Sequence, residues 1–365
     1  MGGDRSTGIL PAHEITALAE HGGIVTSRPF DVDQVQPASL DLRLGPVAWR
    51  VRASFLPGPN ATVAERVESL KLHEIDLSKG ALLEPGRSGG VYIVPLEERL
   101  ALPAEVAATA NPKSSTGRLD LFTRVIADHG REFDTIPAGY AGPLYVEISP
   151  RTFPVIVRAG SRLSQIRFRK GNARLDDAEL AEVHRATPLV DGELHLSGGL
   201  MLSIDLPGSG GVIGYRAKRH TGLVDVDRRG ALDARDFWDP IVADGRRELV
   251  LDPDQFYILA SREAVTVPPD YAAEMMPFDP LVGEFRVHYA GFFDPGFGHS
   301  AAGGAGSRAV LEVRSHEIPF ILEHGQTVGR LVYERLLERP RFLYGSDIGS
   351  HYQAQGLKLS KHFRT

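Results

Sequence analysis

The sequence predicts a mainly β protein made of two tandem copies of one domain, with a few short helices. Three observations carry this. First, residues of the same type recur in the same order 165 positions apart: Tyr92-Ile93 with Tyr257-Ile258, Pro103 with Pro268, Pro112 with Pro277, Glu147 with Glu312, Gly160 with Gly325. Near the start of each half, Ser39-Leu-Asp41-Leu answers Ser203-Ile-Asp205-Leu at offset 164. A shared offset over ordered positions is the mark of a duplicated unit. Second, the intervening runs are short, β-branched and aromatic, and punctuated by Gly, Pro, Asn and Asp. Third, no long helical periods alternate with these runs, which argues for a sandwich or barrel rather than a parallel sheet. A length of 365 residues suits two such units, and a 42% hydrophobic fraction supplies their cores.

In chain order, Ile9, Ile15, Leu18 and Ala19 lie near helical spacing in ILPAHEITALAEHGG, and Gly22-Gly23 ends that helix. The runs GVYIVPLEERLAL (90–102), YAGPLYVEIS (140–149), FPVIVRAG (153–160) and RLSQIRF (162–168) read as strands. A second helix is expected in LDDAELAEVHRA (175–186), whose acidic first turn and His-Arg last turn match the helix dipole. The polar, turn-rich stretch around 185–200 marks the seam. The first domain is therefore placed at 1–190 and the second at 191–365.

Composition excludes several functions. With no Cys there is no disulfide framework, thiol nucleophile or Cys-containing zinc site. A net charge of -6 offers nothing to a nucleic acid, while local Arg clusters still suit small anions. No run approaches about 18 consecutive apolar residues, so no membrane span is expected. The start has no apolar signal core, although Met1-Gly2 to Ser6 fits the short myristoylation pattern. The expected location is the cytoplasm.

Four segments carry candidate chemistry. In Asn111-Pro-Lys113-Ser114-Ser115-Thr-Gly-Arg118, two cations bracket hydroxyls and a Gly, a set suited to phosphate oxygens and equally to a polar loop with an N-cap Ser. Glu147 and Glu312 sit at duplicated positions inside apolar strands. Either faces solvent, or it is a buried acid/base group with a raised pKa. The stretch Ala290 to Gly298, following His288 and containing Asp294, holds three Gly and three Phe and reads as a hairpin. That hairpin is either an ordinary aromatic core or a surface whose backbone reads a flat ring. The polar tail with Tyr344, Tyr352, Gln353, Gln355 and Lys358 reads as a frayed end or as a lid over a ligand. The thirteen His form no H-E-x-x-H pattern, and no G-x-S-x-G elbow supports a serine triad.

Together these motifs resemble the deoxycytidine triphosphate (dCTP) deaminase family, a branch of the trimeric dUTPase-like β fold. Gln36-Pro-Ala-Ser-Leu-Asp41-Leu-Arg-Leu-Gly45 is similar to its Q-P-A-S-[IL]-D-L-R-L-G, and Lys113 to Phe122 to its phosphate-binding K-S-S-x-x-R-L-G-L-F. Ala290 to Phe297 resembles the hairpin ending I-D-P-G-[WF], and Leu311-Glu312 the strand carrying the catalytic glutamate. Gly325 to Leu331 and Tyr352 to Gln355 resemble the last strand and the nucleotide-covering tail. The likeness spans nearly the whole chain, as a fused two-domain form with tandem dUTPase-like barrel or sandwich domains of β-clip type.

The resemblance implies hydrolysis of dCTP to dUTP and ammonia without a protein-held metal. A glutamate would serve as base and acid toward the attacking water, and Mg2+ would arrive on the triphosphate. It places Glu312 or Glu147 at the chemistry. It places Lys113, Ser114, Ser115, Arg118, His288, Ala290, Asp294, Tyr344, Tyr352, Gln353, Gln355 and Lys358 on the substrate. It also implies a homo-oligomer, such as a trimer of two-domain chains, with dTTP as inhibitor. A dUTPase, a bifunctional dUMP-forming enzyme and a non-catalytic nucleotide-binding regulator are the alternatives.

The two copies have diverged. The first keeps Ser114, Ser115 and Arg118 but has Pro137 where Asp294 stands in the second. The second keeps Ala290, Asp294, Glu312 and the tail but has Pro277-Phe-Asp-Pro-Leu281 in the phosphate loop. A hybrid site is expected, with phosphate residues from the first half, base chemistry from the second, and Glu312 favoured over Glu147.

Overall fold

The computed structural model describes residues 6–86, 90–207, 211–277, 285–287, 291–315, 318–345 and 356–364, with backbone only at 277 and 285–287. The repeat is visible in its sheets. In the first half, Thr135–Ile136, Val106–Pro112, Arg162–Lys170 and Ser39–Arg43 lie side by side in that order. In the second, Phe292–Phe293, Tyr271–Pro277, Thr327–Arg335 and Leu200–Ser203 do the same. A second sheet runs Leu121–Ala127, Ala141–Pro150, Val91–Ala101, Val47–Val51 and Lys71–Asp76. Its copy runs Phe285–Val287, Ser307–Ser315, Phe256–Val265, Val212–Ala217 and Trp238–Val242. The registers repeat too: Ser164 faces Pro112 as Gly329 faces Pro277, and Glu147 faces Ile93 as Glu312 faces Ile258. Register is fixed wherever one sheet face is buried, so a duplicated apolar pattern reproduces it. The chain is thus mainly β, a tandem dUTPase-like fold with few helices.

Both expected helices form, as Ala12–Glu20 and Asp177–Ala186. The second is closed by a capping box between Asp176 and Glu179. A third, Val63–Leu70, was not expected from the sequence, although Thr62 and Glu65 spell the same box. It buries Val63 and Val67 against Ile93, Ile126 and Tyr145 in a small satellite core.

The halves interlock rather than sit apart. The core around Leu40, Val94 and Ile148 also takes in Ala217, Val224, Phe237, Trp238, Ile258 and Val310 from the second half. Val224–Asp225 adds a parallel strand to Val155–Val157. Arg167 is fully buried and reaches across the seam. Its Nη1 donates to the Ala273 carbonyl at 3.0 Å and lies 3.4 Å from Glu334, while Nη2 lies 3.3 Å from Asp294. Its guanidinium also stacks 4.0 Å from the Phe292 ring centre. A buried guanidinium is tolerated only with such compensation.

The tail from Tyr344 to Lys358, a frayed end or a lid by its sequence, lies at 346–355 outside the described residues; the end of the chain, 356–364, is built into the fold, so the expectation that little apolar area is buried beyond Tyr344 does not hold. Phe363–Arg364 pairs in parallel with Leu232–Asp233. Phe363 packs on Phe153, Phe237 and Trp238 with ring centres 5.2–6.3 Å apart, and Leu359 is 1% exposed. Phe363 buries because it meets rings from both halves, and Leu359 joins the same core, which local periodicity does not encode. Gly298, at the foot of the Phe-rich hairpin, has φ +65, and a Cβ there would stand 2.2 Å from the Val265 carbonyl oxygen. Only glycine fits that approach.

Phe363→Ala is therefore expected to lower folding stability by about 3–5 kcal/mol, the range for a buried ring replaced by a cavity. Urea denaturation checks this. A loss below about 0.5 kcal/mol would show that the terminal strand is a surface appendage.

Candidate functional site

The phosphate-loop candidate forms a single helical turn, Ser114–Gly117, between the strands Val106–Pro112 and Leu121–Ala127. Arg118 follows the turn, 2% exposed. Its Nε lies 3.9 Å from Glu312 Oε1, and its Nη1 donates to the Lys358 carbonyl at 2.9 Å. The first half's cation, the second half's carboxyl and the tail's backbone therefore converge. Glu312 belongs to the strand Ser307–Ser315 and is 4% exposed. Burial pushes its carboxyl up to about 7, against the opposing pull of Arg118. That value lies near the poise of a general base working at neutral pH.

Glu147, at the duplicated position, has a different environment. Arg124 Nη2 lies 2.6 Å from its Oε1. The same guanidinium sits 3.5 Å from the Phe133 ring centre and donates to Ser54 at 2.8 Å. The space beside Glu147 is filled by this stacked cation, and the carboxylate is 1% exposed.

The remaining candidates fall into place as follows. Lys113 pairs with the buried Asp41, which Arg162 approaches at 3.5 Å. Ser114 is half-buried. Ser115 is buried, and its carbonyl accepts a 2.8 Å bond from Ser360. Asp294 is 8% exposed on the hairpin, and burial pushes its carboxyl up against the pull of Arg167. The strand registers make Pro137 its counterpart: Ile136 faces Ala108, Phe293 faces Ala273, and Ala273 is the position 165 on from Ala108. Tyr344 packs on Phe297 at 5.9 Å between ring centres, and its amide donates to Pro295 at 2.8 Å. The Lys358 side chain is exposed, so the backbone of that residue is what meets Arg118. His288, Ala290, Tyr352, Gln353 and Gln355 lie outside the described residues.

Other residues at the site were not singled out from the sequence. Burial and the nearby Lys113 and Arg229 push the Lys361 ammonium down to about 8. His362 Nε2 donates to the Val226 carbonyl at 2.9 Å and its Nδ1 lies 2.9 Å from Ser360 Oγ, and burial pushes its imidazole down to about 4. Arg314, two residues after Glu312, pairs with Asp120, two residues after Arg118. Motif reading passes over these because each depends on a partner more than 100 residues away. Among the described residues, the group of three with metal-ligand spacing is His13, Glu14 and Glu338, none of them a site residue.

A family model for the N-terminal domain of 2'-deoxycytidine 5'-triphosphate deaminase matches residues 6–172, and one for its C-terminal domain matches 176–363. The crystal structure of 2'-deoxycytidine 5'-triphosphate deaminase from Agrobacterium tumefaciens is similar, with 64% identity and a TM-score of 0.88. The match covers 92% of this chain and 100% of that one. The dCTP deaminase of Halorubrum lacusprofundi is 32% identical over 164 residues, 44% of this chain and 76% of its own. The dUMP-forming dCTP deaminase of Coprothermobacter proteolyticus is 31% identical over 147 residues, 38% of this chain and 70% of its own. Each of these matches thus spans less than half of this chain but most of the relative.

With Glu carboxyl carbons labelled, NMR titration of the free protein should show Glu312 with a midpoint near 7. Arg118→Gln should move that midpoint up, because the neighbouring cation favours the ionised form. A midpoint near the ordinary 4.3 would contradict the desolvated site.

Proposed function

The chain belongs to the dCTP deaminase family, and on that premise we propose that it hydrolyses dCTP to dUTP and ammonia. The carrying observation is the pair at the seam: a buried carboxyl poised near 7 on Glu312, faced by Arg118 from the other half. In this reading the Glu312 carboxylate takes a proton from water as the oxygen attacks C4 of the cytosine ring. The proton passes to N3. A second proton, from the new hydroxyl, passes through Glu312 to the amine, and ammonia leaves as the C4 carbonyl forms. One water is consumed and one ammonia released. Arg118 and the Ser114–Gly117 turn hold the triphosphate, and the hairpin carrying Asp294 receives the nucleoside.

No protein-held metal takes part in this scheme. Mg2+ enters with the triphosphate as part of the substrate. A chain without Cys lacks the Cys ligands with which the zinc deaminases hold a water-activating metal, so in this scheme Glu312 activates the water as well as moving the protons. Glu147 is given no chemical role, because Arg124 neutralises it and fills its surroundings. We further propose a cytoplasmic homo-oligomer of two-domain chains, divided near residue 190 and inhibited by dTTP. The dUMP-forming relatives support a second reading, in which the product is carried on to dUMP.

Incubation with dCTP and Mg2+ separates the readings: dUTP with ammonia supports deamination alone, and dUMP with pyrophosphate the bifunctional form. Glu312→Gln should lower turnover by about 10²–10⁴-fold, the usual worth of a positioned base, with dCTP binding retained. Glu147→Gln should keep turnover within a few fold. The reverse pattern would move the chemistry to the first half.

A further inference from the structure

We propose that the Asp120–Arg314 ion pair is the positioning device that sets Glu312 in register against Arg118. The inference rests on the reading of Glu312 as the base and adds residues that act through it. Arg118 and Asp120 leave the same helical turn, two residues apart. Glu312 and Arg314 are also two apart, and alternate residues of a strand share a face. The contacts therefore run in parallel, Arg118 to Glu312 and Asp120 to Arg314. Their polarity is reversed: cation to anion, then anion to cation. A slip by two residues would set Arg118 beside Arg314, or Asp120 beside Glu312. The charge order thus admits one register and penalises its neighbours.

The second pair is held at both ends. Arg314 Nη1 donates to the Asp254 carbonyl at 2.6 Å, and Nη2 donates to Thr152 Oγ1 at 3.1 Å. Thr152 Oγ1 in turn donates to Asp120 Oδ2 at 2.6 Å. Asp120 is 1% exposed and sits at φ 53, a left-handed conformation that Gly, Asn and Asp tolerate and most residues do not. Its buried carboxylate is directed at the partner half. At the duplicated position, Ser149 stands where Arg314 stands beside Glu312. The lock therefore accompanies one glutamate and is missing beside the other.

The test uses the full-length protein with Asp120→Asn, Arg314→Gln and the double substitution. Each single change should lower kcat for dCTP by about tenfold to a hundredfold, the scale of a misplaced catalytic group. Kd for dCTP should stay within about threefold, because the phosphate contacts are kept. The Glu312 midpoint should rise as Glu312 moves away from Arg118, which stays on its own turn, and the double variant should be no worse than the worse single. Asp225→Asn, which breaks the different cross-half pair Arg158–Asp225, should leave kcat unchanged. Arg314→Lys and Thr152→Val carry the same test if the first pair fails to fold. Unchanged kcat, additive losses, or an equal loss in Asp225→Asn would overturn the proposal. Absence of any deamination by the wild type would instead overturn the proposed function, and the Glu312 midpoint would still test the pair.

Discussion

The structure depends on holding two copies of one domain in a single register across a charged seam. Arg118, Arg167 and Arg314 are each nearly or fully buried, and each meets a carboxyl group or carbonyl from beyond its own half. A buried charge that loses its partner typically costs about 3–5 kcal/mol, a large share of a domain's stability. The seam is therefore a poor place for sliding and a good one for fixing angles. Apolar packing adds area without direction. The ion pairs add direction, because each satisfies only one arrangement of the halves.

Duplication explains how such a seam arose without two equal sites. Each copy retains the sheet order and register of the other, yet the chemistry-bearing positions are divided. The first keeps the Ser114–Gly117 turn and Arg118 but has Pro137 in place of an acid, and covers Glu147 with Arg124. The second keeps Asp294 and Glu312. Position 332, the counterpart of Arg167, is Val in the second half, so the clamp reaches one way only. Once one complete constellation exists at the seam, the other pair of positions is free to become scaffold.

Much of the fold was legible because a repeat constrains it twice. Glu147 and Glu312, or Pro112 and Pro277, are unremarkable singly, but their shared offset anticipates the repeated register seen in the sheets. The helix Val63–Leu70 is spelled by Thr62 and Glu65, directly after the turn-rich run Pro57-Gly-Pro-Asn60. Other features were beyond local reading. Phe363 looks like a tail residue until Phe153 and Trp238 pack around it. Asp120 and Arg314 are each ordinary surface types by composition. Their meaning comes from a contact spanning 194 positions, which no periodicity carries.

The central claim is that each chain assembles one nucleotide site from both halves. Calorimetric titration of dCTP with Mg2+ into the Glu312→Gln chain, slowed in turnover, counts sites directly. The account predicts one nucleotide bound per chain, with binding lost when Arg118→Ala is added. Two nucleotides per chain, or one that survives the loss of Arg118, would show that the halves bind independently and would contradict it.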